Sequence, residues 1–181
     1  MINKRIGPTT LPSDDKTFDE RVLFVNRVAR VVKGGRRFRF QALVVVGDHG
    51  GQVGMGVSKG ADVTAAITKA TNVAKKDMVK LPIRNGTLTH EVEAKVSGSH
   101  ILIKPASPGT GLIAGGVIRT LLEVAGYENA LSKSLGRNNK VNMAYATIAA
   151  LTSMTAPSSW VTRKNQPAKT PSSKSKKRTV R

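Results

Sequence analysis

Residues 52–60 read QVGMGVSKG, and this stretch carries the strongest fold signal in the chain. From residue 53 to residue 58 the odd positions are apolar and the even positions are Gly or Ser, which predicts a β-strand with one nearly bare face. Because glycine has no Cβ, we expect that face to let another backbone approach closely. The backbone amides beside Lys59, at the start of a helical pattern, would also suit an RNA phosphate, so Gly54, Gly56 and Lys59 are candidate RNA-binding residues.

The same stretch spells Gly-x-Ser-x-Gly, the pattern of a hydrolase nucleophile elbow, centred on Ser58. Asp77 followed by His90 or His100 would complete a catalytic triad in the right order. The glycine-rich strand and the short remaining chain disfavour the large parallel sheet that carries such triads. A nucleotide-binding loop is disfavoured as well, because Lys59 stands where a third glycine is needed and the order is Ser-Lys-Gly instead of Gly-Lys-Ser.

The charge of the chain indicates a polyanionic partner. Its 181 residues include 30 Lys and Arg but only 11 Asp and Glu, for a net charge of +19. Nucleic acid is the leading partner, since a membrane-surface protein would need an amphipathic helix with bulky apolar anchors and the chain has one Trp. No transmembrane run or signal peptide is predicted, and the absence of Cys fits a reducing cytoplasm.

The ends of the chain differ from its body. Residues 1–16 are polar and are predicted to form a flexible arm, and residues 161–181 are predicted to form a disordered basic tail. From Arg163 onwards the tail holds eight basic residues and no acidic one. Without these eight charges the rest of the chain keeps a net charge of +11, so the body is basic in its own right.

The first predicted domain, residues 17–84, has the order β-β-β-α. Residues 22–32 form a β-branched strand, and Gly34-Gly35 supply a two-residue hairpin turn. In the next strand Phe38 and Phe40 are predicted to face the core. The alternate residues form the outer face of this half-buried strand, which is basic near the turn. A helix is predicted over residues 61–81, with this inward stripe: Val63, Ile67, Ala70, Ala74, Met78 and Leu81.

The second predicted domain, residues 85–160, has the order β-β-α-β-α, which makes the chain an α+β protein. A joint at residues 82–86 precedes a hairpin formed by residues 91–96 and 101–104. A glycine-rich loop leads into a helix that ends at Gly126, and a short strand and a last helix follow. His90-Glu91 begins like a zinc-protease helix, but residue 94 is Ala and the segment alternates as a strand, so no metal site is predicted.

The hairpin of the first domain carries six cations and no anion within 13 residues. Because the charges surround a glycine turn that can enter a groove, we predict that the hairpin binds phosphates. The candidate RNA-binding residues here are Arg27, Arg30, Lys33, Gly34, Gly35, Arg36, Arg37 and Arg39.

Two sequence blocks resemble the bacterial small-subunit ribosomal protein five family. They are KGGRRFRF with VGDHGGQVGMGVSKG, residues 33–60, and PASPGTGLIAGG, residues 105–116, followed by Arg119. The resemblance runs from about residue 18 to residue 158. It implies a first domain like a double-stranded-RNA-binding domain and a second domain of left-handed βαβ type.

The resemblance also implies partners and sites. Family members bind small-subunit ribosomal RNA near the messenger RNA entry, contact ribosomal proteins four and eight, and influence decoding accuracy. The Lys33-Gly34-Gly35 loop corresponds to the loop associated with spectinomycin sensitivity, and Gly111 and Arg119 correspond to the border with protein four. No enzymatic activity, cofactor or small-molecule substrate is implied.

The chain departs from the family pattern at several positions. Many relatives carry Arg, Phe and Tyr where this chain has Gln52, Met55 and Val57, and the resemblance carries no RNA contact over to Gln52. Arg137 stands where Ser is usual and Tyr145 where a basic residue often occurs. A free-standing RNA chaperone and a small serine hydrolase are the rival hypotheses.

Overall fold

The computed structural model describes residues 18–156 and residue 160, so the predicted arm and tail lie outside the described residues. Within this part of the chain, none of the helices combines the length and apolar character of a membrane span. The described elements are β1 (Asp19–Val32), β2 (Gly35–Gly47), β3 (Gln52–Gly60), α1 (Val63–Lys76), β4 (Val79–Lys80), β5 (Val92–Val96), β6 (Ser99–Pro105), β7 (Leu112–Ile113), α2 (Gly116–Ala125), β8 (Ala130–Ser134) and α3 (Lys140–Ser153).

The strands form two four-stranded sheets. The first has the order β1-β2-β3-β4 and is antiparallel throughout. The second has the order β5-β6-β8-β7, in which β7 and β8 are parallel and joined through α2 as a βαβ unit. The α+β class and both domain orders are confirmed, with the two-residue strands β4 and β7 added. The left hand of the crossover stays an expectation from the family resemblance.

The bare face of β3 lies directly against α1. A Cβ placed on Gly54 would overlap the Ala74 carbonyl oxygen, and one on Gly56 would overlap the Ala70 carbonyl oxygen. The helix side of this contact is equally small, because the buried residues of α1 are Ala66, Ala70, Thr71 and Ala74. The predicted close approach of backbone to a glycine face is therefore confirmed.

The predicted length and inward stripe of this helix are partly wrong. Helix α1 ends at Lys76, and Val79–Lys80 instead pair with Gln52–Val53 as strand β4. The Leu81 amide donates to the Gly51 carbonyl at 2.7 Å, so the backbone hydrogen bonding between these two segments continues one residue beyond β4. Val63, the first residue of α1, is 38% exposed, whereas Ile67 of the predicted stripe packs against the core beside the alanines.

Strand β2 is buried on both faces over its second half. Ala42, Val44 and Val46 pack against the α1 alanines, whereas Leu43 and Val45 belong to the core that the two domains share. The predicted half-buried strand is thus wrong beyond Gln41, because α2 of the second domain covers the face that was expected to meet solvent.

The turn between β2 and β3 joins the domains through the end of α2. The Gly51 amide donates to the Ala125 carbonyl at 3.0 Å, and the His49 amide donates to the Val124 carbonyl at 3.2 Å. The Tyr127 hydroxyl donates to the Pro82 carbonyl at 3.1 Å, and burial raises the pKa of this phenol above its ordinary value. These contacts hold the second domain against the first sheet.

The contact between β3 and α1 predicts the effect of substituting Gly56. Gly56→Ala and, more strongly, Gly56→Val are expected to lower the free energy of unfolding. Overpacking a core typically costs about 1–3 kcal/mol, and we expect at least this loss. The reason is that the obstructing Ala70 carbonyl belongs to the helix backbone and cannot rotate aside. Chemical unfolding of the full chain measures the loss. Ser58→Ala on the same strand face, and Gly116→Ala, where a Cβ meets nothing within 4 Å, are the controls. Wild-type stability of Gly56→Ala would contradict this packing.

Candidate nucleic-acid interface

The β1–β2 hairpin extends past the rest of its sheet. Strand β2 pairs with β3 only from Phe40 to Gly47, whereas it pairs with β1 as far as the Val32–Gly35 pair near the tip. Residues 28–39 therefore form a free two-stranded ribbon, which we call the basic ribbon. Its five paired positions span roughly 16 Å at the usual rise per residue.

The tip of the basic ribbon is a turn of Lys33 and Gly34, with Gly35 already in β2. The predicted Gly34-Gly35 turn is thus displaced by one residue. Gly34 has φ +89°, the left-handed value that the second central position of a type II turn needs, so glycine is required there. Lys33 stands at the tip, exposed to solvent.

One face of the basic ribbon forms a cationic hollow. Arg30, Arg37 and Arg39, with Lys59 from β3, line a concavity of about 230 Å³. Arg30 and Arg37 lie directly opposite each other across the two strands, an arrangement that repels in the free protein. Within the described residues, no ion pair involves any of these four cations. The hollow is therefore suited to an anion that bridges several cations.

The other face carries Arg27, Arg36 and Phe38. The Arg27 guanidinium lies over the Phe38 ring, 3.7 Å from its centroid. Phe38 is 48% exposed, so the expectation that it faces the core is wrong, whereas Phe40 does pack against the core beside α1. The helix begins at Val63, level with the Phe40–Gly60 pair, and does not reach Phe38. Cations thus flank the ribbon on both faces.

The structure changes the candidate residues of β3. Lys59 is exposed and joins the hollow, but Gly54 and Gly56 are buried beneath α1 and are removed from the candidate RNA surface. Ser58 lies inside β3 opposite Ala42, not at a strand-to-helix elbow.

The histidines are engaged away from Ser58. The imidazole of His49 contacts Asp19, that of His90 contacts Thr89, and that of His100 contacts Glu93. Among the described residues there is also no cluster of three metal-ligating side chains. The catalytic constellation that the Gly-x-Ser-x-Gly spelling suggested is therefore not assembled.

Gly111 and Arg119 lie near the start of the βαβ unit. Gly111 has φ +74°, its amide donates to the Asn129 side-chain oxygen at 2.9 Å, and a Cβ there would meet nothing within 4 Å. Arg119 is exposed on α2, and no ion pair within the described residues involves it. Both positions are open to a partner.

Sequence reasoning missed a groove between the first sheet and the start of α3. Asn26 and Gln41 contribute from the sheet, and Lys140 and Asn142 contribute from the helix. The available signal was that Asn26 and Gln41 continue the ribbon's basic face by the strand period of two. The contribution of α3 depends on domain packing, which no local pattern encodes.

Two family models match this chain, and it is similar to curated proteins over most of its length. The model described as Ribosomal protein S5, N-terminal domain, matches residues 18–82, and that described as Ribosomal protein S5, C-terminal domain, matches residues 94–164. The Small ribosomal subunit protein uS5 of Treponema pallidum strain Nichols is 53% identical over 137 residues, which cover 76% of this chain and 80% of that protein. The protein of the same name from Thermus thermophilus is 50% identical over 141 residues, 78% of this chain and 86% of that protein. With both domains matched in order and half of the aligned residues identical, the chain belongs to the ribosomal protein S5 family.

Proposed function

We propose that this chain is a structural protein of the small ribosomal subunit that binds ribosomal RNA through the basic ribbon. The observation that carries the proposal is the set of cations on the ribbon and beside it, free of ion pairs within the described residues: Arg27, Arg30, Lys33, Arg36, Arg37, Arg39 and Lys59. As a member of its family the chain is a ribosomal protein and not an enzyme. Small ribosomal subunits of bacteria are cytoplasmic, which agrees with the expected location.

The shape of the ribbon favours RNA that surrounds it. Cations lie on both faces and at the tip, so neutralising them takes phosphates on more than one side. No Asp or Glu occurs between residues 21 and 47, and therefore nothing in the hairpin sequence repels a phosphate. A ribbon inserted between RNA segments satisfies both conditions.

The more specific partners and roles proposed for this chain come from the family resemblance. We propose contacts with ribosomal proteins four and eight, a place near the messenger RNA entry, and a role in decoding accuracy. The Lys33-Gly34-Gly35 loop is the proposed spectinomycin-sensitivity loop, which agrees with its position at the exposed ribbon tip. Gly111 and Arg119 are the proposed border with protein four, supported by the open space around both.

The phosphate contacts of the ribbon predict a steep salt dependence. Affinity for protein-free small-subunit ribosomal RNA should fall by about 0.7–0.9 log unit per log unit of salt for each phosphate contact, because each contact releases counterions. Replacing Arg30, Arg37 and Arg39 by Gln should lower the steepness of the plot of log affinity against log salt concentration by about 2–3. Lys104→Gln, a cation paired with Glu91 at 3.0 Å on the second sheet, is the control. An unchanged slope in the triple variant would remove the ribbon from the RNA interface.

The proposed place in the ribosome predicts co-sedimentation. The full chain should migrate with small subunits in a sucrose gradient at high salt, because a structural component is held by many contacts at once. The variant lacking Arg30, Arg37 and Arg39 should be recovered in reduced amount. Release of the wild-type chain from the subunits would favour a free-standing RNA chaperone instead.

The border with protein four predicts altered decoding. In cells whose only copy carries Gly111→Arg or Arg119→Leu, stop-codon readthrough should change several-fold with subunit assembly largely intact, since about 1–2 kcal/mol of lost interface energy shifts a two-state population by that much. Gly109→Arg is the matched control, because Gly109 has a similar φ of +90° and equally open surroundings two residues away. Normal readthrough in both test variants, with normal incorporation, would exclude an accuracy role for this border.

A further inference from the structure

A groove of about 510 Å³ lies where the first sheet meets the first turn of α3. Its lining residues are Phe24, Asn26, Gln41, Asn139, Lys140, Val141 and Asn142. The volume falls within the roughly 300–1,000 Å³ of sites that enclose a small organic ligand. The two domains build it together, so neither alone contains the complete groove.

The groove lies beside the cationic hollow of the basic ribbon on the same face of the first sheet. Asn26, Gln41 and Lys59 are cross-strand partners in one row over β1, β2 and β3. The next row towards the tip on this face pairs Val28 with Arg39, and both residues line the hollow. An RNA strand with phosphates in the hollow would therefore reach the groove within one nucleotide or two.

The chemistry of the groove differs from that of the hollow. Within the described residues, the side-chain amides of Asn26, Gln41 and Asn142 make no hydrogen bond, and Gln41 and Asn142 are half-buried. The Asn139 oxygen is already engaged, since it accepts from the Val141 amide at 3.1 Å and the Asn142 amide at 3.4 Å. The first turn of α3 is thus capped by its own side chain, and the free polar groups of the groove are the three amides.

An amide side chain both donates and accepts hydrogen bonds, whereas a phosphate only accepts. Three unpartnered amides therefore match a ligand that presents both kinds of group, such as a base edge or a ribose 2′-hydroxyl. The Lys140 ammonium lies over the Phe24 ring, 5.4 Å from its centroid, and places one positive charge at the rim. A nucleotide offers polar edges for the amides and a phosphate for this lysine.

We infer that this groove binds an unpaired nucleotide of the RNA strand whose phosphates occupy the basic ribbon. Asn26, Gln41 and Asn142 bond its base edge or 2′-hydroxyl, and Lys140 contacts its phosphate. The nucleotide is unpaired because in an RNA duplex pairing occupies the Watson–Crick edge of each base and the narrow major groove does not admit side chains, whereas an unpaired base can be splayed out into a groove. This inference rests on the proposed RNA-binding function and adds a site that recognises the nucleotide itself.

Binding to protein-free small-subunit ribosomal RNA separates the amides from the cations. Gln41→Leu, which keeps the side-chain volume, and Asn142→Ala should each weaken binding by about tenfold with an unchanged salt slope, because a lost neutral hydrogen bond releases no counterion. Lys140→Gln should lower the slope by about 0.7–0.9. Equal unfolding midpoints for wild type and variants show that the fold is intact.

The results distinguish the two hypotheses. If the ribbon arginine variant loses affinity while both amide variants bind as wild type, the nucleotide site is wrong and the proposed function stands. If the ribbon variant binds as wild type, the proposed RNA-binding role of the ribbon itself fails. A fall in slope with the amide variants would mean that the groove acts only through charge, which also overturns the inference.

The absence of cysteine allows a direct test of position. Asn142→Cys, Arg37→Cys and Lys95→Cys can each carry one tethered iron–EDTA group in reconstituted small subunits, Lys95 being exposed on β5 of the other sheet. Radical cleavage from residue 142 should fall on RNA nucleotides adjacent to those cleaved from residue 37, and not on those near residue 95. Cleavage from residue 37 without any from residue 142 would show that the groove does not face RNA.

Discussion

The contact between the glycine face of β3 and the alanine face of α1 is the constraint on which the rest of the structure depends. Gly54 and Gly56 have no room for a Cβ, because the carbonyl oxygens of Ala74 and Ala70 occupy that space. The short distance lets the small side chains Ala42 and Val44 complete this side of the sheet. The helix ends at Lys76, and β4 then returns to pair with the start of β3. The opposite sheet face is left for the second domain.

The face of the first sheet opposite α1 changes along its length from apolar to polar to cationic. Each of these three sections has a different role. Leu43 and Val45 are buried beneath the second domain, Asn26 and Gln41 border the groove at α3, and Arg30, Arg37 and Arg39 of the basic ribbon lie beyond. The strand period of two keeps all of them on one side. The second domain thus covers the apolar section and borders the polar section through α3, whereas the charged section extends past it.

Local pattern predicted the parts of this arrangement that are local. The alternation in residues 52–60, the basic hairpin and the order of elements in both domains follow from side-chain periodicity and turn residues, and the resemblance supplied the family. The errors lie where distant parts of the chain meet. Leu43 and Val45 are apolar on a face that was expected to be solvated, and this was the available sign that another domain covers it. Phe38 is exposed because α1, which begins at Val63, does not extend over it. The groove needed both domains in place before its amides came together.

The distribution of acidic residues explains why the ribbon cations stay unpaired in the described structure. Arg21 pairs with Glu123 at 2.8 Å and Lys75 with Glu20 at 2.7 Å, both at the end of β1 away from the tip, and Lys104 pairs with Glu91 on the second sheet. Arg30 and Arg37 instead lie directly opposite each other, and like charges in this arrangement are destabilising. In the proposed complex, an RNA phosphate between them would replace this repulsion by two attractions. The same charges that repel each other in the isolated hairpin would therefore attract RNA phosphates in the proposed complex.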